Sequence, residues 1–314
     1  MVHDISGLHH VGHIVHDMGQ ALEQYRRMGF ALPGPAYPVV GEPPEPVGVG
    51  NTHAYFAGNF VELVAVAGAG RVPDDARLIP LRVPGDRLPV LKEAVRGTAA
   101  NLESCLRRFE GVHILMFDSS DIDGGAARLA ASGVGHGGVQ VAQRPVETVD
   151  GVRMEPVRWL EIDGARRGLV PEGRVGLAEN ASAHDAADHP NGAVELVECV
   201  LCVADDELDE AEGRYTRYVG GAASRDGAAR TFALGDGRAR VTLVGASGLD
   251  GLLPGEGVAA LPGFAAYSVA VRDVAATSRF LREAGVPVRE SSAGEVFVPA
   301  REALGVAIIF RQAG

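Results

Sequence analysis

One short pattern occurs four times along the chain: an apolar strand, an Asp, a helix and then a Gly. It reads HVGHIVHDMGQALEQYRRMGF from His10 and HILMFDSSDIDGGAARLAASGV from His113. It returns as ECVLCVADDELDEAEGRYTRYVGG from Glu198 and AYSVAVRDVAATSRFLREAGV from Ala266. Asp17 to Gly29, Asp121 to Gly133 and Asp273 to Gly285 each span twelve residues, and Asp205 to Gly220 is three longer. A unit this small cannot bury its own apolar face, so the copies must pack on one another. Only the first two copies carry a His at the head of the strand.

Each Asp is suited to cap the N-terminus of its helix, and each Gly to end it in the left-handed conformation. After the first helix, a Pro- and Gly-rich stretch over Pro33–Gly50 reads as a long loop able to cover a pocket, with the βαβββ order completed only if a short strand precedes it or lies within it. Strands follow at Thr52–Phe56 and Phe60–Val66 around a turn at Ala57–Asn59. Gly68–Gly111 is an insertion with a helix expected at Val90–Arg108. Later strands are expected near Val139–Gln143, Val152–Ile162, Arg174–Ala178, Thr231–Leu234, Val241–Val244, Glu295–Val298 and Val306–Phe310. Polar residues at Asn180–Gly192 mark an interdomain linker. At 314 residues two domains are expected, 1–185 and 186–314.

Composition narrows the function. Net charge is −12, and phosphate binding needs clustered Lys and Arg, so nucleic acid and anionic membrane are disfavoured as partners. No apolar run approaches the ~18 residues of a membrane span. MVHDISGLHH lacks the features of a signal peptide, which makes the cytoplasm the default location. A small soluble organic molecule is the expected partner, with a homodimer possible. Cys199 and Cys202 sit three apart in a β-branched run, so their thiols point to opposite faces and pack in the core.

LHHVGHIVHDM (Leu8–Met18), NFVELVAV (Asn59–Val66) and HPNGA (His189–Ala193) resemble the glyoxalase-like branch of the vicinal oxygen chelate superfamily. The resemblance covers nearly the whole chain and is weakest in the third unit. It implies an α+β fold in which four βαβββ modules pair into two half-open, cupped barrels. It also implies a metal site in the N-terminal pair, with His10, Glu62, His113 and Glu179 as ligands. His10 lies seven residues before Asp17, the superfamily spacing, although His9 competes with it. His113 lies eight before Asp121, and Glu161 competes with Glu179. Two imidazoles and one or two carboxylates suit Fe²⁺, Mn²⁺, Ni²⁺, Co²⁺ or Zn²⁺.

In the lyase/isomerase reading that follows, the ion stabilises an enediolate while Glu62 or Glu179 shuttles a proton. A non-haem Fe²⁺ oxygenase using His10, His113 and Glu62, and a sequestering protein without chemistry, are the alternatives. His13, His16 and His53 are candidates to line the same pocket. Glu198, Ala266, Thr242 and approximately Ile308 stand at the ligand positions of the C-terminal pair, which makes that pair a degenerate copy.

Overall fold

A computed structural model describes residues 4–68, 72–81, 88–148, 151–162, 170–179 and 186–314. The fold is the expected mixed α+β arrangement of two cupped sheets. The first sheet runs from β1 (Ile5–Val15) to β10 (Arg174–Glu179) and the second from β11 (Ala193–Val203) to β18 (Ala307–Gln312). At the centre of the first, β1 meets β7 (Gly111–Ser119) antiparallel. Each then pairs in parallel with the last strand of its own module, β1 with β5 (Phe60–Val66) and β7 with β10. The second sheet repeats this around β11 and β15 (Gly263–Val271), flanked by β14 (Ala239–Gly245) and β18.

The repeated Asp behaves as expected in three copies. Asp17 accepts the Gln20 N–H at the start of α1 (Met18–Arg27), Asp121 that of Gly124 at α3 (Ile122–Ala131), and Asp273 that of Ala276 at α6 (Val274–Glu283). Gly29, Gly133 and Gly285 follow with φ of 83°, 71° and 68°. In the third copy the extra length moves the start of α4 (Leu208–Val219) past a short 3₁₀ turn. Asp205 therefore caps nothing on α4 and instead accepts from the Ser247 amide and hydroxyl.

The helix-bearing faces of the two sheets share one apolar core, in which Met18, Leu22 and Tyr25 of α1 join Tyr215 of α4 and strand residues of both sheets. Cys199 lies in this core and Cys202 in the cluster on the opposite face of β11, as their spacing requires. The concave side of the first sheet is partly filled by Leu102 and Cys105 of α2 (Leu88–Leu106), the helix expected within the insertion. The concave side of the second is closed by Leu249, Leu253 and Phe297.

Two expectations need correction. Pro33–Gly50 is not a plain loop, because β2 (Ala36–Val40) and β3 (Glu45–Pro46) form within it. Tyr37 and Val39 of β2 are buried. Its prolines are tolerated because β2 lies near the sheet edge, where Pro38 need only accept, from Val47 N–H. His16 lies beyond the end of β1, exposed, with its backbone N–H donating to Glu110. Of the linker, residues 180–185 lie outside the described residues; His189 is buried and accepts the Ala31 N–H. No helix among the described residues is long and apolar enough to cross a membrane.

Polar contacts tie the sheets together within the apolar core. His13 is buried between the Tyr25 hydroxyl and the Leu304 carbonyl, each 2.7 Å away, and the Tyr25 hydroxyl lies 3.0 Å from that of Tyr267. The Asn59 side chain both donates to and accepts from the Leu196 backbone. Burial pushes His13 down to about 4, and burial does the same to His113. Below the ordinary imidazole value near 6.5 the unfolded chain takes up protons that the folded chain refuses, so acid destabilises the fold. Unfolding free energy should therefore be flat above about pH 7 and fall between about 6.5 and 4, by on the order of 3 kcal/mol for His13 alone. Chemical denaturation across that range checks this, and His13→Gln should flatten the slope.

Candidate functional site

Residues alternate faces along a strand, and this alternation assembles the site. On β1, His10, Gly12 and Ile14 face the concave side. Gly12 pairs with Glu62 of β5, and Glu62 pairs across the hairpin with His53 of β4 (Val49–Tyr55). Three neighbouring strands thus bring His10, Glu62 and His53 together, with His10 and Glu62 lining a cavity of about 250 Å³ and His53 set behind Glu62. His10 Nε2 lies 3.9 Å from one Glu62 oxygen and His53 Nε2 lies 3.6 Å from the other. Asn51 donates to Glu62 at 2.8 Å.

Burial alone would raise the Glu62 pKa. The two imidazoles, His53 foremost, and the Asn51 amide outweigh that effect and hold it at about 2. Glu62 is therefore an anion throughout the neutral range. A carboxylate only accepts, and both Nε2 atoms turn toward it at ion-pair rather than hydrogen-bond distance, the orientation that favours the proton on Nε2. The other ring nitrogens are also engaged: His10 Nδ1 lies 2.7 Å from His9 Nδ1, and His53 Nδ1 lies 3.1 Å from the Tyr55 hydroxyl.

Phe60 organises these rings. His10 stacks on it at 4.6 Å, while His9, His53 and Tyr55 meet it at 5.2, 5.0 and 5.5 Å between ring centres. His9 reaches the pocket through a β-bulge. Two residues of β1, at Leu8 and His10, oppose adjacent residues Phe117 and Met116 of β7, which leaves His9 as the extra one. The choice between His9 and His10 thus resolves into two positions: His10 faces Glu62, and His9 backs it.

The second module contributes differently from expectation. His113 does not reach the pocket. Ile114 and Met116 face it, so their neighbour His113 points the other way, packed on Phe109 with Nε2 at 2.9 Å from the Phe109 carbonyl. Its spacing of eight residues from the capping Asp, against seven for His10, is the cause, because one residue reverses the face. Glu179 and Glu161 both line the cavity, but each is held by an arginine. Arg158 donates to Glu179 at 2.9 Å, and Arg174 donates to Glu161. His16 lies away from this cavity, and no residue of Pro33–Gly50 lines it.

The four expected ligands are therefore not brought together, and no group of three or more His, Cys, Asp or Glu among the described residues is gathered as a ready metal site. His53 was visible only as a pocket candidate. Its partnership with Glu62 follows from the hairpin, because a turn at Ala57–Asn59 puts Tyr55 opposite Phe60 and His53 opposite Glu62.

The glyoxalase-like domain family matches residues 8–219. No curated protein matches the chain in sequence. Among solved structures, a hypothetical protein from Staphylococcus aureus aligns over 98% of both chains at 9% identity, with a TM-score of 0.56. A mutant of 4-hydroxymandelate synthase from Streptomyces coelicolor aligns over 99% of this chain and 94% of its own at 13% identity, TM-score 0.55. The Mn(II)-bound glyoxalase from Novosphingobium aromaticivorans aligns over 98% and 82% at 13% identity, TM-score 0.51. At these identities the likeness is one of fold.

In the second sheet, the position matching His10 is Glu198, seven before Asp205, and Val200 pairs with Thr242 as Gly12 pairs with Glu62. Glu198 is buried and takes four donors: Arg240 at 2.7 Å, Thr242 at 2.6 Å, Ser268 at 2.8 Å and Arg311 at 2.7 Å. Ile309, one residue from the expected Ile308, matches Glu62 in the fourth module. Guanidinium groups thus satisfy the carboxylate at this ligand position. Removing one member of a buried ion pair leaves its partner uncompensated. Glu198→Leu should lower stability by about 3 kcal/mol in chemical denaturation, and Arg311→Leu added to it should recover part of the loss.

Proposed function

The chain belongs to the glyoxalase-like domain family of the vicinal oxygen chelate superfamily, and from that premise we propose that it is an enzyme of the lyase/isomerase kind, moving a proton on a small organic carbonyl compound in the cavity beside Glu62. The observation that carries this reading is the pair of imidazoles, His10 and His53, whose Nε2 atoms flank one half-buried, ionised carboxylate.

The roles follow from the chemistry. At about 2, Glu62 is too acidic to keep an abstracted proton near neutral pH, so it is a poor shuttle. It suits the part of a fixed anion that orients an imidazole and stabilises the imidazolium, as a carboxylate does behind a catalytic histidine. His10 passes its Nδ1 side to His9, which lines the cavity, and His53 passes its own to Tyr55. In an α-hydroxy carbonyl substrate, the proton leaves the hydroxyl-bearing carbon for the His9–His10 pair and the electron pair moves onto the carbonyl oxygen. The pair then returns the proton to the former carbonyl carbon while the hydroxyl proton passes to the former carbonyl oxygen, so that the second carbon becomes the carbonyl. Phe60, Met116 and Trp159 supply the apolar walls that keep water from the intermediate. The oxygenase reading has less support, because His113 does not join His10 and Glu62.

Solvent-proton exchange tests this directly. A panel of α-hydroxy ketones and 2-oxo acids incubated with the protein in deuterated water should reveal carbon-bound deuterium by NMR. The rate should fall by roughly 10²–10⁴ in Glu62→Gln, His9→Ala and His10→Ala. Exchange unchanged in all three variants would move the chemistry elsewhere. Saturable binding without exchange would favour sequestration.

A further inference from the structure

We propose that this pocket works without the divalent ion of its superfamily, because the second module's two ligand positions have been filled with hydrocarbon and backbone, which leaves His10 and Glu62 without the second half of a ligand set. The inference rests on the reading of this cavity as the functional site. It does not depend on which reaction occurs there.

The pairing of the two modules identifies the positions. His10 lies seven residues before the helix-capping Asp17, and the residue seven before the helix-capping Asp121 is Ile114. Glu62 lies opposite Gly12, five before Asp17. The residue opposite Met116, five before Asp121, is Gly176. The positions that answer His10 and Glu62 across the pseudo-twofold axis are thus Ile114 and Gly176, and neither side chain has a donor atom.

Neither position is a simple vacancy. A Cβ built on Gly12 would lie 2.7 Å from the Ile114 Cβ and Cδ1, so the isoleucine occupies the space that a bare glycine on β1 leaves at the middle of the sheet. At Gly176 a Cβ would overlap the Leu160 carbonyl oxygen and press on the Met116 thioether. Backbone cannot yield as a flexible side chain can, so no carboxylate fits at Gly176 without moving β9 (Gly151–Glu161), the strand that carries Leu160. The carboxylates that do line this wall, Glu161 and Glu179, are committed to Arg174 and Arg158.

The second sheet shows the same replacement in another form. Its carboxylate at the ligand position, Glu198, is satisfied by Arg240 and Arg311. Arginine thus satisfies a carboxylate in both cups. In the first cup, the space left over is walled by Ile114, Met116 and Trp159. It suits a ligand that sets an apolar face against these three side chains and polar groups against His9, His10 and Glu62 and against the Arg174–Glu161 pair.

Isothermal titration of tag-free, full-length protein with Mn²⁺, Ni²⁺ and Zn²⁺ tests the inference, with Glu62→Gln and Ile114→His alongside. Wild type and Glu62→Gln should give the same traces. Ile114→His, which restores an imidazole at the second module's position, should bind at least one of these ions at least roughly tenfold more tightly than wild type. A single equivalent of ion bound by wild type and lost in both Glu62→Gln and His10→Ala would overturn the proposal. An ion bound equally by wild type and Glu62→Gln lies outside this pocket and supports it. Loss of solvent-proton exchange would defeat the reaction assigned above without touching these traces.

Discussion

The antiparallel pairing of β1 with β7 at the centre of the first sheet is the constraint on which the site depends. Because side chains alternate along each strand, that register fixes which residues of two modules can share a cavity. It sends His10 inward with Gly12, and it sends Ile114 and Met116 inward from the other side. His113, one residue from Ile114, is turned into the interior behind the sheet. A slip of one residue on β7 would bring an imidazole into the cup and expel the isoleucine.

Around that register the structure separates two kinds of work. The convex faces, with their helices, merge into one core across both sheets and carry most of the apolar burial. The concave faces have diverged. The second is closed by Leu249, Leu253 and Phe297 and retains only the Glu198–arginine cluster. The first keeps a cavity in which Arg174 and the arginine-paired Glu161 and Glu179 of the second module share the lining with an imidazole-bearing wall from the first. Phe60 sits at the centre of that wall, touching His9, His10, His53 and Tyr55, so an apolar residue sets the geometry of the polar ones.

Much of this was legible in the sequence. The Asp-to-Gly spacing marked three of the four helices and their caps, and F-V-E-L-V-A-V marked Glu62 as a carboxylate in an apolar strand that needed a partner. The parity argument placed Cys199 and Cys202 on opposite faces. Other features were not legible, for physical reasons. A β-bulge breaks strict alternation, so His9 and His10 can share a pocket although neighbours in a regular strand cannot. Family spacing suggested His113, while its extra residue before Asp121 carried the contrary information. The Pro-rich segment looked like a loop because proline cannot donate, yet at a sheet edge accepting is enough. Glu179 and Glu161 could not be ranked, because their arginine partners are distant in sequence.

The central claim is that a fixed anion at Glu62 orients His10 and His53 with Nε2 turned toward it, an arrangement built by one module alone. Imidazole ¹⁵N NMR of the unligated protein at neutral pH tests it most directly, since the two neutral tautomers have separate nitrogen signatures. The account predicts that both rings carry the proton on Nε2, and that Glu62→Gln shifts both while leaving buried His189 unmoved. Nδ1-protonated rings, or spectra of His10 and His53 that ignore the loss of the Glu62 charge, would contradict it.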